Sequence, residues 1–150
     1  MIPITTIRII NGKEKIKELE GKYGSLKNLK RKYKNDTENV LLYSDLEDWK
    51  YFLKHPKEDL EEGKTIFLED LNINKRDFEL IKIIKDKKPN SISELAKLMG
   101  KEVSFVQKKV NILKKEGLID FKYGTKNRKI PIVNYDKLEI SIWKFEKKLN

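Results

Sequence analysis

An α+β fold is predicted, and three observations predict it. Segments whose apolar residues recur at intervals of three and four alternate with short β-branched segments. Residue types that start and stop helices stand between them. The most regular succession, residues 91–133, reads as a short helix, a tight turn, a second helix and a β-hairpin. A chain of 150 residues fits one domain, or a small domain with an appended dimerisation region.

Ile4 to Ile10 is short and β-branched, with Gly12 after it, which predicts a first strand. From Lys13 to Lys34, Ile16, Leu19, Tyr23, Leu26, Leu29 and Tyr33 keep the spacing of an amphipathic helix that Gly21 and Gly24 can divide in two. The basic run Lys27 to Lys34 suits a solvated face or phosphate contact. Val40 to Tyr43 reads as a second strand. Ser44, with Glu47 three residues on, has capping-box spacing and predicts a helix that carries Leu46, Trp49, Phe52 and Leu53 and stops near His55-Pro56. Lys57 to Lys64 is acidic and expected as a loop or short helix, and Thr65 to Leu68 as a third short strand.

Asn74 to Lys87 places Phe78, Ile81 and Ile84 on one helical stripe, ended before Pro89. Ser93 is the expected N-cap of the next helix, with Glu94 in its first turn and Leu95, Ala96, Leu98 and Met99 inside it, and Gly100 ends it. Glu102 or Ser104 begins a further helix, on which Val106, Val110 and Leu113 form one apolar stripe and which Gly117 closes. Its opposite face carries Ser104, Phe105, Gln107, Lys108, Asn111 and Lys115. Leu118 to Tyr123 and Ile130 to Val133 read as two strands joined by a basic turn with Gly124, Lys126, Asn127, Arg128 and Lys129. Alternation of Leu138, Ile140 and Ile142 suggests another strand, which, like the N-terminal one, needs a partner.

This order of parts is that of a winged helix-turn-helix. It places such a domain in residues 74–142, an N-terminal α/β region for dimerisation or partner binding in 1–73, and a tail in 143–150. ISELAKLMG, then SFVQKKVNILKKEGLI, then a basic turn before IPIVNYDKLEI resembles the winged-helix transcriptional regulators related to the MarR family. It is similar above all to a group of short archaeal and bacterial DNA-binding proteins whose wing strand runs into a proline and a Tyr-Asp pair, here Tyr135-Asp136. The resemblance covers Lys75 to Ile142. It implies a recognition helix of about residues 102–116 in the major groove and a wing of about residues 123–130 on the flanking phosphates. Phe105 departs from the small or polar residue commoner at such a position.

The charge distribution agrees with that reading. The formal net charge is +10, yet residues 1–74 hold 14 Lys+Arg against 14 Asp+Glu, while residues 75–150 hold 20 against 10. The half that would face a polyanion is therefore the second. Ser104, Phe105, Gln107, Lys108 and Asn111 are the candidates for base contact, because Gln and Asn pair with adenine edges and Lys donates to guanine. Lys101, Lys115, Lys126, Asn127, Arg128 and Lys129 are the candidates for phosphate contact.

No catalytic reading emerges. With no cysteine the chain has no disulfide, thiolate metal site or cysteine nucleophile, and suits a reducing cytoplasm. The single histidine, His55, stands beside a proline at a helix end. Glu58, Asp59, Glu61 and Glu62 lack the ligand spacing and turn glycine of a calcium loop. Gly-rich phosphate loops, nucleophile elbows and zinc motifs are missing, as are a membrane span and a signal-peptide pattern. The expectation is a cytoplasmic, cofactor-free, non-enzymatic homodimer on double-stranded DNA. The alternative is a protein-interaction module, or an antitoxin, whose partner would meet Phe105 or the stretch Glu58 to Asp70 with Trp49 and Phe52.

Overall fold

The structure, a computed structural model, describes residues 2–69 and 73–140. In chain order the elements are β1 (Ile2–Asn11), α1 (Gly12–Tyr23), α2 (Leu26–Lys34), α3 (Val40–Lys54), β2 (Asp59–Leu68), α4 (Lys75–Lys87), α5 (Ile92–Met99), α6 (Val103–Glu116), β3 (Asp120–Tyr123), β4 (Lys129–Ile132) and β5 (Lys137–Ile140). The described fold is thus mixed α/β, with six helices and two small sheets, ordered β2-β1-β5 and β3-β4. β1 and β5 run antiparallel with Ile4 opposite Ile140 and Ile7 opposite Lys137, so both of the strands expected to need partners have one. β3 and β4 form an antiparallel hairpin with Tyr123 opposite Lys129. Ser141, Ile142 and the tail at 143–150 lie outside the described residues.

The chain divides into two compact units, Ile9–Glu62 and the remainder, Met1–Arg8 with Gly63–Asn150. The border expected between residues 73 and 74 falls inside the second of these, just ahead of α4.

In the unit of residues 9–62, asparagine and serine side chains start the helices. Asn11 Oδ1 accepts from the Glu14 amide at 2.9 Å, and Ser25 Oγ accepts from the Asn28 amide at 3.1 Å. The long amphipathic pattern does break, at Gly24 (φ 82°), while Gly21 stays within α1. α3 starts earlier than the sequence suggests, because Asn39 Oδ1 accepts from the amides of Leu41 and Leu42. Val40 to Tyr43, expected as a strand, is therefore the first turn of a helix, and Ser44 sits within that helix instead of capping it. Lys57 to Lys64, expected as a loop or short helix, feeds into the strand β2 from Asp59 onward.

Leu19 and Tyr23, Leu29, and Leu46 with Trp49 bring α1, α2 and α3 into one core. At its margin the Tyr23 hydroxyl and the Lys22 ammonium both donate to Asp45 Oδ2, the latter at 3.0 Å. Burial works to raise the Asp45 pKa, but these two donors hold it below the ordinary carboxylate value. Gly12 is a close-approach site. Its amide donates to the Glu58 carbonyl at 2.8 Å, and a Cβ there would lie 2.5 Å from the His55 carbonyl oxygen.

In the other unit, Leu80, Ile81 and Ile84 of α4, Ile92, Leu95 and Ala96 of α5, and Val106, Val110 and Leu113 of α6 form the core with Ile4, Leu68, Leu118 and Ile119. Asn74 and Asp77 form a reciprocal cap on α4, the Asp77 carboxylate accepting from the Asn74 amide at 2.9 Å. The cap of α5 is Ser91 and not Ser93. Ser91 Oγ accepts from the Glu94 amide, and Glu94 Oε2 accepts in return from the Asn90 amide, both at 3.0 Å. Gly100 (φ 65°) and Gly117 (φ 85°) end α5 and α6 in the left-handed conformation.

The Tyr135-Asp136 pair ties the strands to the helices. Tyr135 donates its hydroxyl to the Leu118 carbonyl at 2.6 Å, the Asp136 amide donates to the Ile7 carbonyl at 2.7 Å, and the Asp136 carboxylate meets Lys85 at 3.0 Å. Burial pushes the Tyr135 phenol up to about 12.

Gly12→Ala is expected to destabilise the chain by about 1 to 3 kcal/mol, since backbone must yield to the new methyl group. An unchanged denaturant midpoint would show that the close approach does not exist in solution. For Tyr135 the sign follows from its raised value: the unfolded phenol ionises near its ordinary 10.0, the folded one near 12, so its contribution is complete below pH 10 and is lost as pH rises from 10 to 12. Tyr135→Phe should cost about 1 kcal/mol at pH 7 and lose less stability than the wild type across that window. Parallel curves for the two proteins in alkaline denaturation would contradict the buried hydroxyl.

Candidate nucleic-acid interface

α5 and α6 are joined by the three residues Gly100, Lys101 and Glu102. Gly100 takes positive φ, and the Lys101 amide returns to the Ala96 carbonyl at 3.0 Å, closing the first helix before the second begins. Glu102 is the N-cap of α6. Val106, Val110 and Leu113 are fully buried and so fix which face of α6 points outward.

At about 100° per residue, Ser104, Lys108, Asn111 and Lys115 fall on one strip, with Gln107 at its edge. All are exposed except Gln107, which is half-buried and donates from Nε2 to Asn111 Oδ1 at 3.2 Å. The two amides keep further donors and acceptors for an outside partner. Phe105 stands apart. It lies about 100° round the helix from Ser104, and it lines a groove of about 440 Å³ with Leu80, Ile83, Leu98 and Met99.

The lysines of α6 divide in the same way. Lys109 reaches the buried Asp77 carboxylate at 3.3 Å, and Lys114 reaches Asp120 at 2.9 Å. The Lys114 hydrogen bond, aided by the Phe121 amide, holds the Asp120 carboxyl below its ordinary pKa. Lys108 and Lys115 are exposed and form no ion pair with a described residue, and the same is true of Lys101.

In the hairpin, the Gly124 amide donates to the Arg128 carbonyl at 2.8 Å and the Arg128 amide to the Thr125 carbonyl at 3.3 Å. Between them Lys126 (φ 58°) and Asn127 (φ 56°) are both left-handed, the geometry of a type I′ turn. Lys126, Asn127, Arg128 and Lys129 are all exposed at this tip. The Arg128 guanidinium donates to Thr125 Oγ1 at 3.3 Å, and Lys129 Nζ lies 5.5 Å from the centre of the Phe121 ring.

Two cations escaped the sequence reading. Lys88, left-handed at the end of α4, and Lys122 on β3 line a polar cleft with Asn90 and Asn134. The position of Lys88 against Pro89 marked a helix end, but only the tertiary fold brings it to Lys122. Among the described residues no group of three or more His, Asp or Glu could hold a metal ion, and no helix is long and apolar enough to cross a membrane.

A family model described as HVO_A0114 matches residues 72–140, the stretch that carries α4, α5, α6, the β3-β4 hairpin and β5. No curated protein and no solved structure matches the chain.

The turn geometry yields a test that leaves charge untouched. Asn127→Gly should keep or raise the denaturant midpoint, whereas Asn127→Val, β-branched at a left-handed position, should cost about 1 to 2 kcal/mol. Equal midpoints for the two variants would mean that the left-handed turn is not populated.

Proposed function

We propose that α4, α5, α6 and the β3-β4 hairpin form a winged helix-turn-helix and that the chain is a sequence-specific regulator of transcription on double-stranded DNA. The observation that carries this reading is the outward strip of α6. It offers Ser104, Gln107, Lys108 and Asn111 opposite a fully buried stripe, while Lys109 and Lys114 are neutralised within the fold. A helix of this kind enters the major groove, where Gln107 and Asn111 pair with adenine edges and Lys108 with guanine. Lys126, Asn127, Arg128 and Lys129 in the wing, with Lys101 and Lys115, hold flanking phosphates. Two copies reading a palindrome would gain affinity from half-sites about 34 to 36 Å apart, so the working form is a cytoplasmic homodimer that needs no cofactor.

A second reading has one observation in its favour. Phe105 is 46% exposed and lines, apart from the polar strip, a groove in which Leu80, Ile83, Leu98 and Met99 stand beside Arg76, Glu79 and Lys101, as an anchor for a docked protein would. In that case α5 and α6 serve as an interaction module or antitoxin surface, and DNA binding is weak and indifferent to sequence.

Fluorescence anisotropy with duplex DNA from upstream of the gene and with a shuffled duplex, at about 50 and 200 mM salt, separates the two. The native duplex should be preferred at both salt concentrations. Gln107→Ala should narrow that preference, and Lys126→Ala with Arg128→Ala should weaken binding to both duplexes and flatten the salt slope by about 2. Equal binding to the two duplexes, unaffected by Gln107→Ala, would overturn the recognition-face assignment.

A further inference from the structure

The unit of residues 9–62 is electrically balanced, with 12 Lys+Arg and 12 Asp+Glu, yet its charges are not evenly mixed. The nine residues of α2 carry Lys27, Lys30, Arg31, Lys32 and Lys34 and no acid. Leu29 is buried, Leu26 and Tyr33 pack beside it, and the Lys32 ammonium sits 5.7 Å from the Tyr23 ring. The remaining four cations, Lys27, Lys30, Arg31 and Lys34, stand at i, i+3, i+4 and i+7, one strip of the helix. All four are exposed and none forms an ion pair with a described residue, whereas Lys15 and Lys22 of α1 are paired with Glu62 and Asp45.

Helix stability accounts for only half of this strip. Cations in the last turn suit the negative end of the helix dipole, which covers Arg31, Lys32 and Lys34. Lys27 occupies the second helical position, where the dipole disfavours a cation, and Lys30 faces like charges at both Lys27 and Lys34. A row of like charges without internal partners is favourable when an external polyanion supplies the opposite charge.

We infer that α2 is a second phosphate-binding surface, engaging the backbone of the DNA duplex without reading its sequence. The strip rises about 10.5 Å along the helix axis, the rise of about three phosphates on one strand. Its side chains are long and single-pronged apart from Arg31, which suits point contacts to phosphate better than base readout. The inference rests on the proposed function for the choice of duplex DNA as the polyanion.

The test uses the full chain with Lys27→Gln, Lys30→Gln, Arg31→Gln and Lys34→Gln combined, glutamine being close to lysine and arginine in helix propensity. The control has the same net charge and changes the exposed Lys13, Lys17, Lys54 and Lys57 to Gln. Affinity for one duplex is measured against salt. Loss of about three phosphate contacts should make the α2 variant's salt slope shallower by about 2.7, so that the affinity lost between 50 and 200 mM falls roughly 40-fold relative to the wild type. The control should stay within about one unit of the wild-type slope. If the fourfold variant fails to fold, Lys27→Gln with Lys30→Gln should still lower the slope by about 1.8. An α2 variant that behaves as the control overturns this inference and leaves the proposed function standing. A lowered slope for the α2 variant, with Gln107→Ala and the Lys126-Arg128 variant both binding as the wild type, supports α2 and overturns the reading of α6. A wild type that binds no duplex at 50 mM overturns both.

Discussion

Burial of Val106, Val110 and Leu113 is the constraint on which the rest of the candidate interface depends. Each such side chain contributes about 1.5 to 3 kcal/mol on leaving water, so any rotation of α6 that exposed them would be disfavoured several times over. A helix has only one degree of freedom about its axis, and these three residues remove it. The outward placement of Ser104, Lys108, Asn111 and Lys115 is therefore a by-product of core packing. Two ion pairs reinforce the setting: Lys109 ties the middle of α6 to the start of α4 through Asp77, and Lys114 ties its end to the first residue of β3 through Asp120. Asp77 links local and tertiary structure, because the carboxylate that caps α4 is also the buried partner of Lys109.

Much of this was legible in the chain. α4 and α6, Gly100 and Gly117 as helix ends, the break at Gly24 and the hairpin all follow from periodicity and capping chemistry, which act over one or two turns. The elements that differ from the sequence pattern are decided over longer distances or between equivalent signals. Val40 to Tyr43 is a short apolar run that fits either period, and the Asn39 cap made it helical. Asp59 to Lys64 is rich in residues that strands tend to avoid, and it is a strand through backbone pairing in the sheet, which composition does not report. Ser91 and Ser93 are chemically equal as caps, and which of them caps depends on where the helix begins; likewise Ser44 keeps capping-box spacing to Glu47 yet lies inside α3, which Asn39 starts.

The candidate site divides along the same line. The polar face of α6 can be read as the complement of its apolar stripe. Which of its lysines are already neutralised cannot, since Asp77 and Asp120 come from other elements. Nor does the sequence separate Phe105 from its neighbours, because the groove it lines is built by α4 and α5. Tyr135-Asp136, a mark of resemblance in the sequence, has a structural task in its hydrogen bonds to Leu118 and Ile7.

The borders of the two units, at residues 8/9 and 62/63, fall inside β1 and β2, which are neighbours in one sheet. The chain thus departs from one strand and comes back on the adjacent one, so that residues 12–58, three helices and their core included, form one long connection between neighbouring strands. Closure entropy grows only with the logarithm of loop length, and strands already adjacent need no more than a short turn to join them. A change in the length of the helical part, residues 12–58, therefore leaves the order of the strands and of the helices that follow unchanged. In sequence, then, three helices and their core are an interpolation between two adjacent strands, and the segment carrying α4 to β5 begins only after the chain has returned to the sheet.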